Sequence, residues 1–426
     1  MRRRAEKAQV GQEWRGLAVV PQLLLPMVQG LLATRANLMA WVHERGLEAL
    51  AELFRSEAEQ LAGPKGKHRA DRTHHHWGRT RSELGFGGRL IGVERPRVRA
   101  RAGGEAKLPS VEAFERQDPL SERVVEQILL GVSTRGYGRS LEAAPPGVSS
   151  RGTSKSAASR RLVKTTREKL AAELERRLQS EEIVIVMLDG VTIAEQTLVV
   201  ALGISREGTK LPLGLWQGST ENAALCTSLL QDLLARGLRV DGGLLFVIDG
   251  GKGLRKAIRE VLGDLAAVQR CQVHKMRNVI DHLSPKHHVY VKRTMQEAYR
   301  ASSAESARRK LTALAAWLQR QGEEGAAGSL HEGLEETLTV LKLGLSPTLR
   351  RSLWTTNAIE NLMGHVRRIG GNVKTWKRDM RRRWTWLAMS DAQTRFHRIK
   401  GHRDLNALVS ALRALLNNVD AEKALA

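Results

Sequence analysis

The hydrophobic rhythm changes several times along the chain. From Trp14 to about Ala62, Leu, Val and Ala recur at helical intervals until Gly63-Pro64-Lys65-Gly66 ends the run, which predicts one or two helices. Within it, the apolar stretch Leu17–Ala33 is interrupted by Pro21, Gln22, Pro26 and Gln29 and reads as an amphipathic helix, not a leader or a membrane span. Residues 65–107 lose that rhythm. Their apolar pieces, Leu90-Ile91-Gly92-Val93 and Arg95-Pro96-Arg97-Val98-Arg99, predict a short β-ribbon with basic flanks. Helical spacing returns between Leu120 and Leu178. A Ser/Gly-rich interruption at Gly147–Ser156 separates a helix near 120–132 from one starting near Ser156, which suggests a helix-turn-helix; a solvated helical linker is the plainer alternative.

After Glu182 the texture becomes that of a sheet. Ile183-Val184-Ile185-Val186-Met187-Leu188 is a continuous apolar run of strand length, rich in β-branched residues, and predicts a buried central strand. Strands at about Thr197–Ile204 and Lys210–Trp216, joined through Ser205-Arg206-Glu207-Gly208, extend it as an antiparallel meander. A helix from about Asn222 to Arg236 then leads to a second buried strand, Leu244–Ile248, a Gly-rich turn, a helix through Leu262 and a short strand at Ala267–Arg270. From Lys275 to about Leu345 only helical patterns occur, as in an all-helical insertion; a helix over 356–369 and a final Leu/Ala-rich helix complete the chain.

Charge narrows the class of partner. Lys and Arg number 69 against 45 Asp and Glu, a formal charge of +24 over 426 residues, and a field of that sign attracts polyanions, nucleic acid first among them. A basic membrane-surface protein fits less well, because the apolar stretches are short and 27% of residues are charged. Two cysteines, Cys226 and Cys271, are too few for a disulfide framework and suit a reducing compartment.

Two aspartates close apolar strands, each followed by glycine: Asp189-Gly190 and Asp249-Gly250. In a mixed sheet with those strands parallel and adjacent, the carboxylates meet, and like charges so close resist ionising together unless a cation neutralises them. Glu360, in Thr355-Thr356-Asn357-Ala358-Ile359-Glu360-Asn361 at a helix start, offers a third oxygen ligand. Such a trio suits two Mg²⁺ ions about 3.5–4 Å apart acting on a phosphodiester. Singly, each acid has a plainer account, as a turn residue or a helix-dipole partner, so spacing alone leaves both readings open.

Other clusters carry less. Asp249-Gly250-Gly251-Lys252-Gly253 lacks the spacing of a phosphate-binding loop. His74-His75-His76 cannot all face one ion from a regular element and are expected in a basic, DNA-facing loop with Arg69, Arg72 and Arg79. Ser159, Arg160, Arg161 and Lys164 are placed to reach phosphates or bases from the second helix of the pair. Arg367, Arg368, Lys374, Lys377, Arg378, Arg381, Arg382 and Arg383 crowd the region after Glu360, and phosphate contact is expected for some. Arg367 follows Glu360 by two helical turns and can share its face. Trp376, Trp384 and Trp386 read as core residues ahead of base-stacking platforms.

At these positions the sequence resembles the transposases of bacterial insertion sequences of the Mutator superfamily. The likeness runs through Trp77-Gly78, Pro96-Arg97-Val98-Arg99, Gly131-Val132-Ser133-Thr134-Arg135, Ser154-Lys155-Ser156, Leu188-Asp189-Gly190 and Gly218-Ser219-Thr220-Glu221-Asn222. It continues in Val247-Ile248-Asp249-Gly250, Gln269-Arg270-Cys271-Gln272-Val273-His274-Lys275 and Thr356–Asn361. The resemblance implies an α/β fold: a ribonuclease-H-like mixed sheet with an all-helical insertion, preceded by mainly helical DNA-binding modules. It assigns Asp189, Asp249 and Glu360 to an Asp-Asp-Glu metal-binding triad and Cys271 and His274 to a Cys-x-x-His signature. His274 is expected to reach a scissile phosphate or to hydrogen-bond an acidic ligand, with a packed Cys and a satisfied His as the plain alternative; two such residues fall short of a zinc site.

The expected organisation is an N-terminal helical region (1–64), a basic β-ribbon or loop region (65–119), a helix-turn-helix-like DNA-binding region (120–181), a catalytic core (182–274 and 346–400) around a helical insertion (275–345), and a C-terminal helix (401–426). The expected activity is Mg²⁺- or Mn²⁺-dependent cleavage at terminal inverted repeats of double-stranded DNA and 3′-hydroxyl strand transfer, by a homodimer or higher oligomer in the bacterial cytoplasm at the nucleoid. A ribonuclease-H-fold nuclease without strand transfer, and a non-catalytic DNA-binding regulator, are the alternatives.

Overall fold

The computed structural model describes residues 35–425 except 68–70, 117–118, 145–146, 219–222 and 372. The amphipathic stretch 17–33 and Ser219–Asn222 lie outside the described residues. The chain falls into two compact units, residues up to Val163 and residues from Lys164 onward.

In the first unit, helix α1 (Arg35–Ala62) buries Phe54, Ala58 and Ala62 against Leu84, Val98, Leu108 and Val111 of the segment that follows. The ribbon is longer than the pattern predicts. Strand β1 (His74–Phe86) pairs antiparallel with β2 (Arg89–Ala100) from His74↔Ala100 to Phe86↔Arg89. Gly87 and Gly88, both at positive φ (56° and 78°), form the two-residue turn whose twist suits a hairpin.

The three histidines therefore open a strand and do not lie in a loop. They pair with Ala100, Arg99 and Val98, and this cross-strand ladder, which no local propensity signals, places them. Short strands β3 (Glu105–Ala106) and β4 (Ser150–Arg151) both pair with β2.

Helices α2 (Pro109–Arg116) and α3 (Pro119–Leu129) follow, and α4 (Lys155–Glu175) runs from the first unit into the second. The two helices expected around the Ser/Gly-rich stretch are present. Between Leu129 and Lys155, however, stand a 3₁₀ turn at Tyr137–Ser140 and strand β4, so the connection is no three- or four-residue turn of a helix-turn-helix. The ladder of β4 with Leu90 and Ile91 holds that stretch to the ribbon.

The second unit is built on a five-stranded mixed sheet: β5 (Ile183–Ile193), β6 (Gln196–Ser205), β7 (Lys210–Gly218), β8 (Leu244–Ile248) and β9 (Ala266–Arg270), in spatial order β7-β6-β5-β8-β9. The first three form the antiparallel meander, while β8 pairs parallel to β5 and β9 parallel to β8. The parallel links are made by α5 (Ala223–Ala235) and α6 (Lys252–Leu262), whose Leu229, Leu230, Leu233, Leu254 and Ile258 pack on Val186, Leu188, Phe246 and Ile248. The alternate residues Ile185, Met187, Leu245 and Val247 are buried as well, which is why these strands read as unbroken apolar runs.

Helices α7 (Gln272–Asp281), α8 (His288–Tyr299), α9 (Ala304–Arg320) and α10 (Glu324–His331), with the single turns α11 (Leu334–Thr337) and α12 (Thr339–Lys342), form the insertion around a core of their own, including Val279, Met295, Leu311, Leu314 and Leu330. It docks on the edge strand β9. Gln269 Nε2 donates to the Thr337 carbonyl (3.0 Å), its Oε1 accepts from the Val340 N–H (2.9 Å), and the Thr339 hydroxyl donates to the Val268 carbonyl (2.6 Å). Buried Arg270 and Lys275 reach the carbonyls that end α10, at Glu332 (3.1 Å) and at Ser329 (2.6 Å), where a cation satisfies unpaired acceptors. Helices α13 (Pro347–Leu353), α14 (Asn357–Gly370), α15 (Met380–Gln393) and α16 (Leu405–Leu425) close the chain, with α14 against β5 and α15 against β7. Among the described residues, none after β9 forms a strand, and no helix is long and apolar enough to cross a membrane.

Candidate functional site

Parallel pairing of β5 with β8 runs from Ile185↔Leu245 to Leu188↔Ile248. The next residues on these neighbouring strands, roughly 4.8 Å apart, are Asp189 and Asp249. Their surroundings differ. Asp249 lies past the end of β8, whereas Asp189 is inside β5, paired with Val200 of β6, and the strand continues to Ile193. The expectation that Asp189 ends its strand is corrected accordingly: the apolar run stops there because the β8 partner stops, while the β6 partner carries the backbone onward.

Each aspartate is held by the backbone beyond it. Asp189 Oδ1 accepts from the Gly190 N–H (2.9 Å) and Asp249 Oδ1 from the Gly251 N–H (2.8 Å). Gly250 has φ +106°, and a Cβ there would stand 2.0 Å from Nε of Arg270, so the turn under Asp249 has room for glycine only.

Glu360 reaches the aspartates through a short chain of backbone bonds. The Cys271 N–H donates to the Ile248 carbonyl (2.8 Å), fixing the start of α7 beside the end of β8, and the Gln272 N–H donates to the Trp354 carbonyl (2.9 Å), fixing the approach to α14 beside α7. Glu360 lies in the first turn of α14. The Thr356 hydroxyl donates to Glu360 Oε1 and lies 3.3 Å from His274 Nδ1, which is itself 3.7 Å from Glu360 Oε1. Cys271 is fully buried, and its ligand atom, one from His274 and one from Glu360 all lie within 4.8 Å of one another.

Charge in this cluster is strained. Burial, then the charge of Asp249, and further that of Glu360, push the Asp189 carboxyl up to about 6, against the Gly190 N–H and His274, which favour its ionised form. The hydrogen bond with Cys271 raises His274 above its ordinary value, outweighing burial, with the charges of Cys271, Glu360 and Asp249 adding to it. Burial would raise the Cys271 thiol, but hydrogen bonds with His274 and Thr356 bring it below its usual range. Asp189 thus feels the charges of both Asp249 and Glu360, and carboxylate oxygens are the donors that a hard divalent cation takes. Cys271, His274 and Thr356 engage one another, and Thr356 and His274 both lie against Oε1 of Glu360.

The basic residues expected at DNA divide into exposed and committed groups. Arg160 and Lys164 are exposed on α4, whereas the Arg161 guanidinium donates to the Gly152 carbonyl (2.6 Å) and holds the turn before its own helix. Arg367, on the helix of Glu360, is exposed, as are Lys374, Lys377 and Arg378; Arg368 is also exposed but shares a hydrogen bond with His365 (2.9 Å). Arg383 is buried between Asp379 (3.1 Å) and the Thr166 hydroxyl (3.0 Å), and Arg381 donates to the Ile193 and Ala194 carbonyls (3.0 Å each), so these two join elements together. Trp386 is buried, and Trp376 and Trp384, half-buried, meet edge to face at 6.5 Å. Thr356 was missed in the sequence; its signal is the four-residue spacing to Glu360, which stacks the two side chains on one helix face.

The fold and the site show a mixed α/β unit with two aspartates directly after the last paired residues of a parallel strand pair, in a strongly basic chain, and comparison with known proteins gives the family. Residues 48–377 match the family described as Transposase, Mutator family, and the chain belongs to it. It is similar to the transposase for insertion sequence element IS905 of Lactococcus lactis, 29% identical over 268 residues, which are 59% of this chain and 63% of that protein. The match therefore spans less than two thirds of that relative. The transposase for insertion sequence element ISRM5 of Rhizobium meliloti is 28% identical over 365 residues, 82% of this chain and 84% of the relative. The transposase for IS256 in transposon Tn4001 of Staphylococcus aureus is 26% identical over 268 residues, 60% and 66% respectively.

Proposed function

We propose that this protein is a transposase that cleaves double-stranded DNA at the ends of its element and joins the freed 3′-hydroxyl to target DNA, with Asp189, Asp249 and Glu360 as the metal-holding triad of a ribonuclease-H-like core. One observation carries the reading. The parallel β5–β8 pairing ends at Leu188 and Ile248, so the next residue of each strand is an aspartate at the same edge of the sheet, and burial with mutual repulsion raises Asp189 to about 6. That repulsion is relieved by a divalent cation.

Bound between these oxygens, a pair of Mg²⁺ or Mn²⁺ ions would supply Lewis-acid activation of the attacking oxygen and charge stabilisation of the leaving one. The protein's own groups do the positioning. The Gly190 and Gly251 N–H groups fix one oxygen of each aspartate, and Asp189, Asp249 and Glu360 would hold the ions. Thr356 and His274 hold Oε1 of Glu360 on the side of the cluster nearest Cys271. Arg367, exposed two turns beyond Glu360, and Lys374 offer phosphate contacts that keep the DNA backbone in register. Assembly as a dimer or larger oligomer in the nucleoid-bearing cytoplasm accompanies this reading, because two DNA ends must be brought together.

Asp249→Asn tests it. Strand cleavage and transfer with Mg²⁺ should be lost while binding to terminal-repeat DNA survives; intact cleavage and transfer in that variant would end the proposal. Labelled 3′ ends separate strand transfer from the simple hydrolysis of a nuclease, and any metal-dependent cleavage sets aside a non-catalytic regulator.

A further inference from the structure

The ribbon of the first unit carries an aromatic side chain whose placement core packing does not explain. Trp77 is 48% exposed and takes no part in the apolar cluster formed by Phe54, Leu84, Val98 and their neighbours. Large aromatic side chains gain most from burial, so one left half in water within a paired strand is unusual.

Its exposure has a local cause. His76 pairs with Val98 and Arg79 with Pro96, so β1 has one residue more than β2 across this stretch, and Trp77 and Gly78 fill the bulge. Gly78 has φ +85° with open space where a Cβ would stand. A bulge re-aims the side chain it carries. Here it presents an indole.

Two neighbours hold the ring, His75 on its own strand and Arg99 across the ladder. The Arg99 guanidinium carbon stands 4.8 Å from the Trp77 ring centroid, and the His75 ring meets the indole nearly perpendicular, at 76° and 5.5 Å between centroids. His75 and Arg99 face each other in the ladder, so both contacts rest on paired backbone. Together they orient the ring and leave about half of its surface open.

The charge around it decides what the open surface suits. Between residues 65 and 107 the sequence has twelve Lys and Arg against four Asp and Glu. A cationic surround favours a polyanion, and an oriented indole favours a planar π-system; a nucleobase on its phosphate backbone has both properties. In an intact duplex the base faces are stacked, so the indole can meet one only where a base has left the stack.

The geometry points to Trp77 as a stacking platform for an unpaired DNA base, oriented by Arg99 and His75, with neighbouring arginines on the adjoining phosphates. This rests on the DNA reading above and goes beyond it, because it assigns the ribbon a preference for distorted DNA, separate from the carboxylate chemistry.

The test uses the full chain with two probes, a short duplex carrying one unpaired 2-aminopurine and the same duplex fully paired. Wild-type protein should bind the first more tightly and quench its fluorescence. Trp77→Ala should weaken binding to the unpaired-base duplex by about tenfold, with affinity for the paired duplex and its salt dependence unchanged. Trp77→Phe should keep most of the preference. Equal binding of both duplexes by wild type, or an undiminished preference in Trp77→Ala, overturns the platform and leaves the DNA reading standing. Failure of wild type to bind either duplex at low salt overturns the DNA reading and the platform with it.

Discussion

His274 Nδ1 stands 3.7 Å from Glu360 Oε1, with the Thr356 hydroxyl bonded to that same oxygen. Glu360 comes from a helix reached only after the whole insertion, and these two side chains give it one orientation. On the function proposed above, Thr356→Val should lower metal-dependent DNA cleavage by about 10–100-fold, the usual effect of removing a group that orients a metal-binding side chain. Thr356→Ser, which keeps the hydroxyl, should restore most of it. The shift should appear as a higher Mg²⁺ requirement in a cleavage titration; equal loss in both variants would assign Thr356 to packing alone.

Gly250 allows a second prediction. Its φ of +106° and the 2.0 Å approach of Arg270 Nε to any added Cβ leave alanine no accommodation without moving Arg270 away from Glu332. Gly250→Ala should cost about 1–3 kcal/mol in chemical denaturation. On the function proposed above it should also reduce cleavage, because Asp249 takes its orientation from the Gly251 N–H on the same turn.

The two cysteines should resist alkylation in the native protein. Cys271 has a thiol below its usual range, which favours the reactive thiolate, yet both cysteines are buried. Reactivity needs access as well as ionisation, so access decides. Intact-mass measurement after N-ethylmaleimide should show little modification of folded protein and two adducts after denaturation.

Glu335 predicts a pH effect within the insertion. The Arg308 guanidinium, at 2.6 and 2.9 Å, and then Lys342 hold its carboxyl at about 2, against an ordinary 4.5, despite the opposing influence of burial. A carboxylate with a depressed folded-state pKa stabilises the fold above its unfolded value, and the contribution is lost as pH falls from about 4.5 toward about 2. The side chain is 51% exposed, so the effect is modest. The fall in thermal midpoint between neutral pH and pH near 3 should be smaller in Glu335→Gln than in the wild type.

What could be read from the chain follows from where each signal is local. Leu244–Ile248 and the run from Ile183 are legible because both faces of those strands are covered, and continuous burial leaves continuous apolar sequence. The end of β5 is not legible in the same way: Gly190–Ile193 pair with Val199–Gln196 after the apolar run has stopped. His74–His76 took their conformation from β2, a partner more than twenty residues away, and nothing in three histidines announces a strand. Glu360 lies 111 positions beyond Asp249. Its motif is visible in the sequence, but the two backbone bonds that place it, Cys271 to Ile248 and Gln272 to Trp354, use N–H and carbonyl groups that every residue has.

The hydrogen bonds of Gln269 and Val268 to Thr337, Thr339 and Val340 have a further consequence. Strand β9 is the last of its sheet, and a bare sheet margin invites pairing with any extended chain that meets it. The helical segment binds that margin as a hem binds cloth. A shortened chain lacking it would gain a sticky border and lose the partners of Gln269, and should be recovered as aggregates, so the helical segment is a condition of the sheet remaining in solution.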